Sequence, residues 1–134
     1  MLNKFDKDLG LLALRLGIGG LFVYFGFPKI TAGPEMWSGL GGAMGNLGIH
    51  FAPTFWGFMA ALAEFGGGIL IVIGFLMRPA LAMMLFTMFV AILFHRSKGD
   101  GFQVWSGAFA YAIVFLSLFI AGPGKYSLTL RSGG

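Results

Sequence analysis

The chain has 134 residues, of which 57% are hydrophobic and only 10% are charged, and its mean hydropathy is +0.86. A soluble domain needs more charge than this to cover its surface, so the composition predicts an integral membrane protein. The lack of cysteine excludes disulfides, thiolate catalysis and cysteine-ligated clusters within this chain. The net charge of +4 comes from basic residues scattered at the ends of apolar segments, which does not indicate nucleic-acid binding.

Four apolar segments, taken in chain order, are long enough to cross a bilayer as helices. They cover residues 10–27, 53–76, 79–94 and 104–121. A spanning helix needs about 20 apolar residues, so the first and third segments are at the short end, and no alternating pattern of a transmembrane barrel strand is present. The sequence therefore predicts an all-α membrane protein, a bundle of four transmembrane helices in a single domain of residues 1–134. A tight turn at Met77-Arg78 makes the second and third spans an antiparallel hairpin.

The connection between the first two spans, residues 30–52, is rich in glycine and carries little charge. Its larger apolar residues recur at steps of three and four: Trp37, Leu40, Met44 and Leu47. That spacing predicts a short helix that is interfacial or re-entrant. A flexible glycine-rich loop with a few anchoring residues is the alternative, and the sequence leaves both open.

Glu64 is the only charged residue in the second span and lies close to its middle. A charge near a helix centre costs about 2.5–3.5 kcal/mol on insertion scales, so such residues face the bundle interior and have partners. Small residues share its helical face, namely Gly57, Ala60, Ala61 and Gly68. We therefore expect this face to pack closely against other helices.

Arg15 is the expected partner of Glu64. It shares one face of the first helix with Gly19, Phe22 and Gly26, and Lys29 lies about 40° from that face. Packing of this face against the Glu64 face would place the carboxylate between the two cations, within reach of Arg15 directly or through one water. Lys29 is expected to extend outward to the interface. Such a pair either fixes helix packing or positions a ligand, and the sequence leaves both open.

The two histidines precede and follow spans on one side of the membrane. His50 comes before the second span and His95 ends the third. Two histidines near one membrane face can ligate haem, but neither lies inside a span, which disfavours haem. No residue set predicts a metal site. His95, at the end of the third span, is a candidate ligand-binding residue.

Several of these residues together resemble the DoxX family of small bacterial four-helix membrane proteins. The first helix carries Arg15-x3-Gly19-x2-Phe22-x3-Gly26-x2-Lys29, and the second carries Glu64, Gly67-Gly68, Gly74 and the closing Arg78-Pro-Ala80. Ala91-x3-His95, Gly101-Phe102 and the tail from Gly122 to Leu128 are also similar, so the resemblance covers nearly the whole chain. It departs at Ala110, where many members carry an acidic residue early in the fourth helix.

The resemblance implies a quinone-proximal subunit of a membrane oxidoreductase assembly that handles sulfur compounds or oxidative stress. In that role Glu64 would be the proton donor or acceptor, a quinone would be the cofactor, and Arg15, Glu64, Lys29 and His95 would bind the ligand. Whether this chain itself catalyses a reaction stays open. The alternatives are a small proton-coupled transporter or binding protein for a small anion, and a membrane scaffold for a partner enzyme. A homo-oligomer is compatible with each.

The distribution of basic residues predicts the orientation in a bacterial inner membrane. An even number of spans puts both termini on one side, together with the turn between spans two and three. That side holds Lys4, Lys7, Arg78, Lys125 and Arg131, whereas the other holds Lys29, Arg96 and Lys98. Because cytoplasmic loops carry the excess of lysine and arginine, we expect both termini in the cytoplasm.

Overall fold

The computed structural model describes residues 3–128, and within that range it contains helices and no strand. The helices are α1 (Lys4–Ile30), α2 (Pro34–Gly41), α3 (Pro53–Ile73), α4 (Met77–Ser97) and α5 (Phe102–Ala121), and a 3₁₀ segment (Gly42–Leu47) follows α2. In this described part, α1, α3, α4 and α5 are long and apolar enough to cross a membrane. The predicted fold class is confirmed.

Local capping explains where the helices depart from the predicted spans. The Asn3 side chain accepts a hydrogen bond from the Asp6 backbone, and the Asp6 carboxylate accepts one from the Asn3 backbone. This capping box begins α1 six residues before the predicted span. At the other extreme α3 ends at Ile73, because Gly74 has a φ of 75° that terminates the helix. The tight turn is therefore Gly74–Leu76, and the predicted turn at Met77-Arg78 lies inside α4.

The four spanning helices alternate in direction, so α1 begins where α5 ends. The backbone N–H of Lys125, in the tail after α5, donates to the Asp8 carboxylate near the start of α1 (3.1 Å). We call this the terminal end of the bundle, and the opposite end, where α1 leads into α2, the loop end. Arg131, which entered the expected charge distribution, lies outside the described residues.

Helix α3 lies at the centre of the bundle, and small residues bring its neighbours into backbone contact. Gly19 of α1 meets Gly68, and Gly26 of α1 meets Phe65. Further backbone contacts join α3 to α2 (Gly57 with Trp37, Gly41 with Pro53), and Gly67 leaves room for the Met84 side chain of α4. The prediction that the small-residue face of α3 packs closely is confirmed, since Gly57, Ala61, Glu64 and Gly68 are all buried.

Gly68→Ala is expected to destabilise the protein by about 1–3 kcal/mol, the usual effect of overpacking a tight contact. A Cβ at this position would lie 2.7 Å from the Gly19 carbonyl oxygen and 2.9 Å from the Val23 nitrogen, so the backbones of α1 and α3 must separate. Thermal unfolding in detergent measures the change. Gly20→Ala is the matched control, because a Cβ there meets nothing within 4 Å. Equal midpoints for the two variants would contradict the close packing of α1 on α3.

The connection between α1 and α3 is helical, so the flexible-loop alternative is wrong. The Trp37 indole Nε1 donates to the Lys29 carbonyl oxygen (2.8 Å) and ties α2 to the end of α1. Met44 of the 3₁₀ segment is buried, and Leu40 is half-buried. The apolar residues that recur in this connection therefore lie on one side of it, and that side packs against the loop end of the bundle.

Helix α5 packs along α4 and reaches α1 through aromatic rings. The Phe22 ring of α1 lies with its centroid 5.0 Å from those of Tyr111 and Phe115, in edge-to-face arrangements. Phe22 and Phe115 are fully buried and belong to the main hydrophobic core. The rings of Phe22 and Tyr111 also line a cavity between the helices.

Candidate functional site

Glu64 forms an ion pair with Lys29 in the loop-end half of the bundle. The Lys29 ammonium donates to both carboxylate oxygens at 3.0 Å. The Glu64 side chain is only 7% exposed and that of Lys29 is 31% exposed. The carboxylate is therefore buried with its charge balanced by one neighbouring cation.

The expected pairing of Glu64 with Arg15 is wrong, and the contact between α1 and α3 explains why. The two helices are antiparallel, and Gly19 lies opposite Gly68. Arg15 precedes Gly19 by four residues and Glu64 precedes Gly68 by four, so the two charges lie on opposite sides of that contact. At a rise of 1.5 Å per residue they are about 12 Å apart along the bundle.

Lys29 was expected to extend outward, and it turns inward instead. Gly26 contacts the Phe65 backbone, which places the next turn of α1 close to Glu64. Side chains on a helix tilt toward its N-terminus, so Lys29 near the end of α1 leans back into the bundle. Its stem then carries the ammonium to the carboxylate rather than to the interface.

Arg15 joins three segments at the terminal end, and we call this arrangement the Arg15 clamp. Arg15 is 1% exposed, and its guanidinium donates to the carbonyl oxygens of Ile71 (3.0 Å) and Val72 (2.8 Å), in the last turn of α3. It also donates to the carbonyl oxygens of Pro123 (3.1 Å) and Tyr126 in the tail. Four of its five N–H donors are thus used by backbone. Arg15 therefore contacts backbone at the terminal end and is not among the residues around Glu64.

A cavity of about 370 Å³, partly open to the surroundings, lies beside the Lys29–Glu64 pair. We call it the Glu64 cavity. All five helices and the 3₁₀ segment contribute to its wall. The polar residues of the wall are Lys29, Glu64, Thr87, His95 and Tyr111, and the aromatic ones are Phe22, Phe25, Phe94 and Tyr111. Of the residues singled out in the sequence, the structure thus brings Lys29, Glu64 and His95 together.

His95 reaches the Glu64 cavity from the end of α4. Its Nδ1 lies 2.9 Å from the Asp100 carboxylate, and Nε2 has no hydrogen-bond partner among residues 3–128. Lys98 is more distant, 3.8 Å from the same carboxylate. His50 is exposed near Gly45 and does not line this cavity. The two histidines therefore do not share the site that a bis-histidine haem would require.

Three polar residues of this region, Thr87, Tyr111 and Asp100, were not among the candidates from the sequence. The Tyr111 hydroxyl has no hydrogen-bond partner within the described range, and its ring packs on Phe22. The Tyr111 hydroxyl, in the apolar stretch of α5 between Ser106 and Ser117, was a usable signal. Asp100 was not recognisable, because only the loop after α4 brings it to His95. Ala110, where the resemblance expects an acidic residue, is exposed and does not line the cavity.

The site combines flat apolar walls with several free hydrogen-bonding positions. Lys29 uses two of its three donors on Glu64, so one remains. The Thr87 hydroxyl donates to the Met83 carbonyl oxygen (2.9 Å) and keeps its lone pairs. Because the Lys29 and Glu64 charges balance, the arrangement suits an uncharged, flat ligand with polar edges.

Comparisons with known proteins identify the family of the chain. The DoxX family model matches residues 10–96, a stretch that includes Arg15, Lys29, Glu64 and His95. The inner membrane protein YqjF of Escherichia coli strain K12 is 35% identical over 125 residues, which is 91% of each chain. The inner membrane protein YphA of the same organism is 32% identical over 130 residues, 90% of this chain and 89% of its own. No solved structure matches significantly. The chain is thus an integral membrane protein that belongs to the DoxX family.

Proposed function

We propose that the protein binds a quinone headgroup in the Glu64 cavity and serves as a quinone-binding subunit of a membrane oxidoreductase assembly in the inner membrane. The observation that carries this proposal is a partly open cavity in which aromatic walls surround a buried, charge-balanced Lys29–Glu64 pair. A quinone complements both features, because its flat apolar ring can pack on the aromatic walls and its oxygens can contact the polar pair. The relatives' names, inner membrane proteins, support the location.

The residues of the Glu64 cavity fit such a headgroup. The remaining N–H of Lys29 and the Tyr111 hydroxyl can each donate to a carbonyl oxygen. Phe22, Phe25 and Phe94 offer ring faces and edges for packing. A bound quinone supplies two-electron redox chemistry, while Glu64 can take or give a proton at the edge of the ring. Electrons would pass to or from a partner oxidoreductase.

A small anion suits this site less well than a neutral ligand. Arg15, the cation expected to attract an anion, is engaged by four backbone carbonyls at the other end of the bundle. Lys29 is already neutralised by Glu64, so an anion would bring an uncompensated charge beside a carboxylate. Anion transport therefore loses its main support. A pure scaffold would give the cavity no role.

The charge distribution supports an orientation with both termini in the cytoplasm. The terminal end carries Lys4, Lys7, Arg78 and Lys125 as exposed side chains. At the loop end Lys29 turns into the bundle, so Arg96 and Lys98 are the remaining exposed cations among the described residues. This asymmetry favours a cytoplasmic terminal end. The Glu64 cavity would then lie in the periplasmic half of the membrane.

Mass spectrometry of organic-solvent extracts from mildly purified protein tests the quinone proposal. We expect wild type to retain a quinone, and Ala91→Phe to lose it because the added ring fills the Glu64 cavity. Tyr111→Phe should reduce retention several-fold, the effect of one lost hydrogen bond of about 1 kcal/mol. Ala82→Phe is the matched control, since Ala82 is an exposed position on the same helix.

Two results would count against the quinone proposal. Folded wild type that carries no quinone, even after incubation with a short-chain quinone, would remove its basis. Equal retention by Ala91→Phe and Ala82→Phe would show that any bound quinone lies outside the Glu64 cavity.

A further inference from the structure

The loop after α4 holds Asp100 against His95 by two hydrogen bonds. The Asp100 backbone N–H donates to the His95 carbonyl oxygen (3.0 Å), and the Asp100 carboxylate lies 2.9 Å from His95 Nδ1. Gly99, with a φ of 81°, makes the turn that brings the two residues together. The orientation of the imidazole is thereby set by a residue that does not line the Glu64 cavity.

This geometry determines which ring nitrogen carries the proton. A carboxylate only accepts hydrogen bonds, so Nδ1 must be the protonated nitrogen in the contact with Asp100. In the neutral ring Nε2 is then an unprotonated acceptor. His95 lines the Glu64 cavity, and Nε2 is the ring nitrogen that no group within residues 3–128 occupies.

We propose that Asp100 holds His95 in this tautomer so that Nε2 accepts the hydroxyl proton of a reduced, dihydroxy-aromatic ligand in the Glu64 cavity. The inference rests on the proposed quinone site and adds the redox form that it prefers. A quinone has only acceptor oxygens, which face an acceptor at Nε2 unfavourably. The hydroquinone has O–H groups that Nε2 can accept. His95 is thus the ligand-contacting residue, and Asp100 is a positioning residue.

The proton transfer balances within these groups. The ligand O–H bond breaks with its electron pair left on oxygen, an N–H bond forms at Nε2, and the imidazolium lies beside the Asp100 carboxylate. The His95 and Asp100 side chains are 32% and 26% exposed, so the proton can leave to water at the loop end. The other charges nearby are Lys98 at 3.8 Å from Asp100, Arg96 over the Trp105 ring, and the Lys29–Glu64 pair across the cavity.

Nitrogen-15 NMR of histidine-labelled protein in detergent tests the tautomer directly. The chain has two histidines, so His50→Gln leaves His95 as the single labelled ring. At neutral pH we expect Nδ1 protonated and Nε2 unprotonated. Asp100→Ala in this background should move the ring toward the Nε2-protonated form. Lys98→Ala, the matched control on the same loop, should leave the tautomer unchanged.

Adding a short-chain ubiquinol, and separately the corresponding ubiquinone, tests the ligand contact. The reduced form should shift the Nε2 signal several times more than the oxidised form. Ala91→Phe, which fills the cavity, should abolish the shift. Binding of each form is measured in parallel by retention after gel filtration and extraction.

The outcomes separate this inference from the proposed function. A ring protonated at Nε2 in the His50→Gln protein would overturn the inference whatever binds. An unchanged Nε2 signal in protein that retains the ubiquinol would overturn it while the quinone site stands. If neither form is retained, the proposed function fails, and the ligand contact at His95 fails with it.

Discussion

Arg15→Ala is expected to lower the free energy of unfolding by more than about 3 kcal/mol and the melting temperature by more than about 10 °C. The substitution removes four charge-assisted hydrogen bonds, each worth about 1.5–3 kcal/mol, and leaves the carbonyl oxygens of Ile71 and Val72 without their donor. Thermal unfolding in detergent measures the loss. Arg15→Lys should give an intermediate loss, because one ammonium cannot reach all four carbonyl oxygens.

The tail gives a second readout of the Arg15 clamp. Without the guanidinium, Pro123 and Tyr126 lose their side-chain donor, and the exposed Lys125 should become a rapid site for trypsin. Arg78→Ala is the control, since Arg78 is exposed and makes one hydrogen bond, to the Phe119 carbonyl oxygen. If the Arg15→Ala protein has the melting temperature of wild type and resists trypsin at Lys125, the clamp does not stabilise the fold.

Lys29→Met is expected to destabilise the protein by about 3 kcal/mol, the lower end for breaking a buried ion pair, because Lys29 is partly exposed. The loss comes from the Glu64 carboxylate, which stays buried without a cation. The Lys29→Met/Glu64→Met double variant should recover most of it, since two apolar side chains then fill the space. A double-mutant cycle from chemical or thermal unfolding gives the coupling energy.

The Lys98–Asp100 pair at the loop end provides the comparison for this cycle. Lys98→Met is the control. It breaks the Lys98–Asp100 pair, which is longer (3.8 Å) and more exposed, so stability should change by about 1 kcal/mol or less. Additive effects of the Lys29 and Glu64 substitutions would contradict the pairing.

Much of the fold could be predicted from the sequence, because membrane insertion depends on the summed hydropathy of a whole segment. Four runs of apolar residues were sufficient to predict the spans, and the glycine and alanine positions around Glu64 were sufficient to predict the buried face of α3. The helix ends were less accurate, since single residues decide them. The Asn3 capping box extended α1, and the left-handed Gly74 shortened α3.

The candidate site was predicted only in part, because its partners depend on how helices align. The choice between Arg15 and Lys29 as the partner of Glu64 follows from the level at which Gly19 meets Gly68, a tertiary contact that no local pattern contains. The same limit applies to the pairing of Asp100 with His95, which a loop creates. Residue types and helix faces were readable, whereas the alignment of one helix against another was not.

The Arg15 clamp has a consequence for biosynthesis. Arg15 is made early in translation, yet two of its carbonyl partners lie 108 and 111 residues further along the chain. The first helix is therefore made before any of the four carbonyl partners of its guanidinium, and the clamp can close only after the tail segment that holds Pro123 and Tyr126 has been translated.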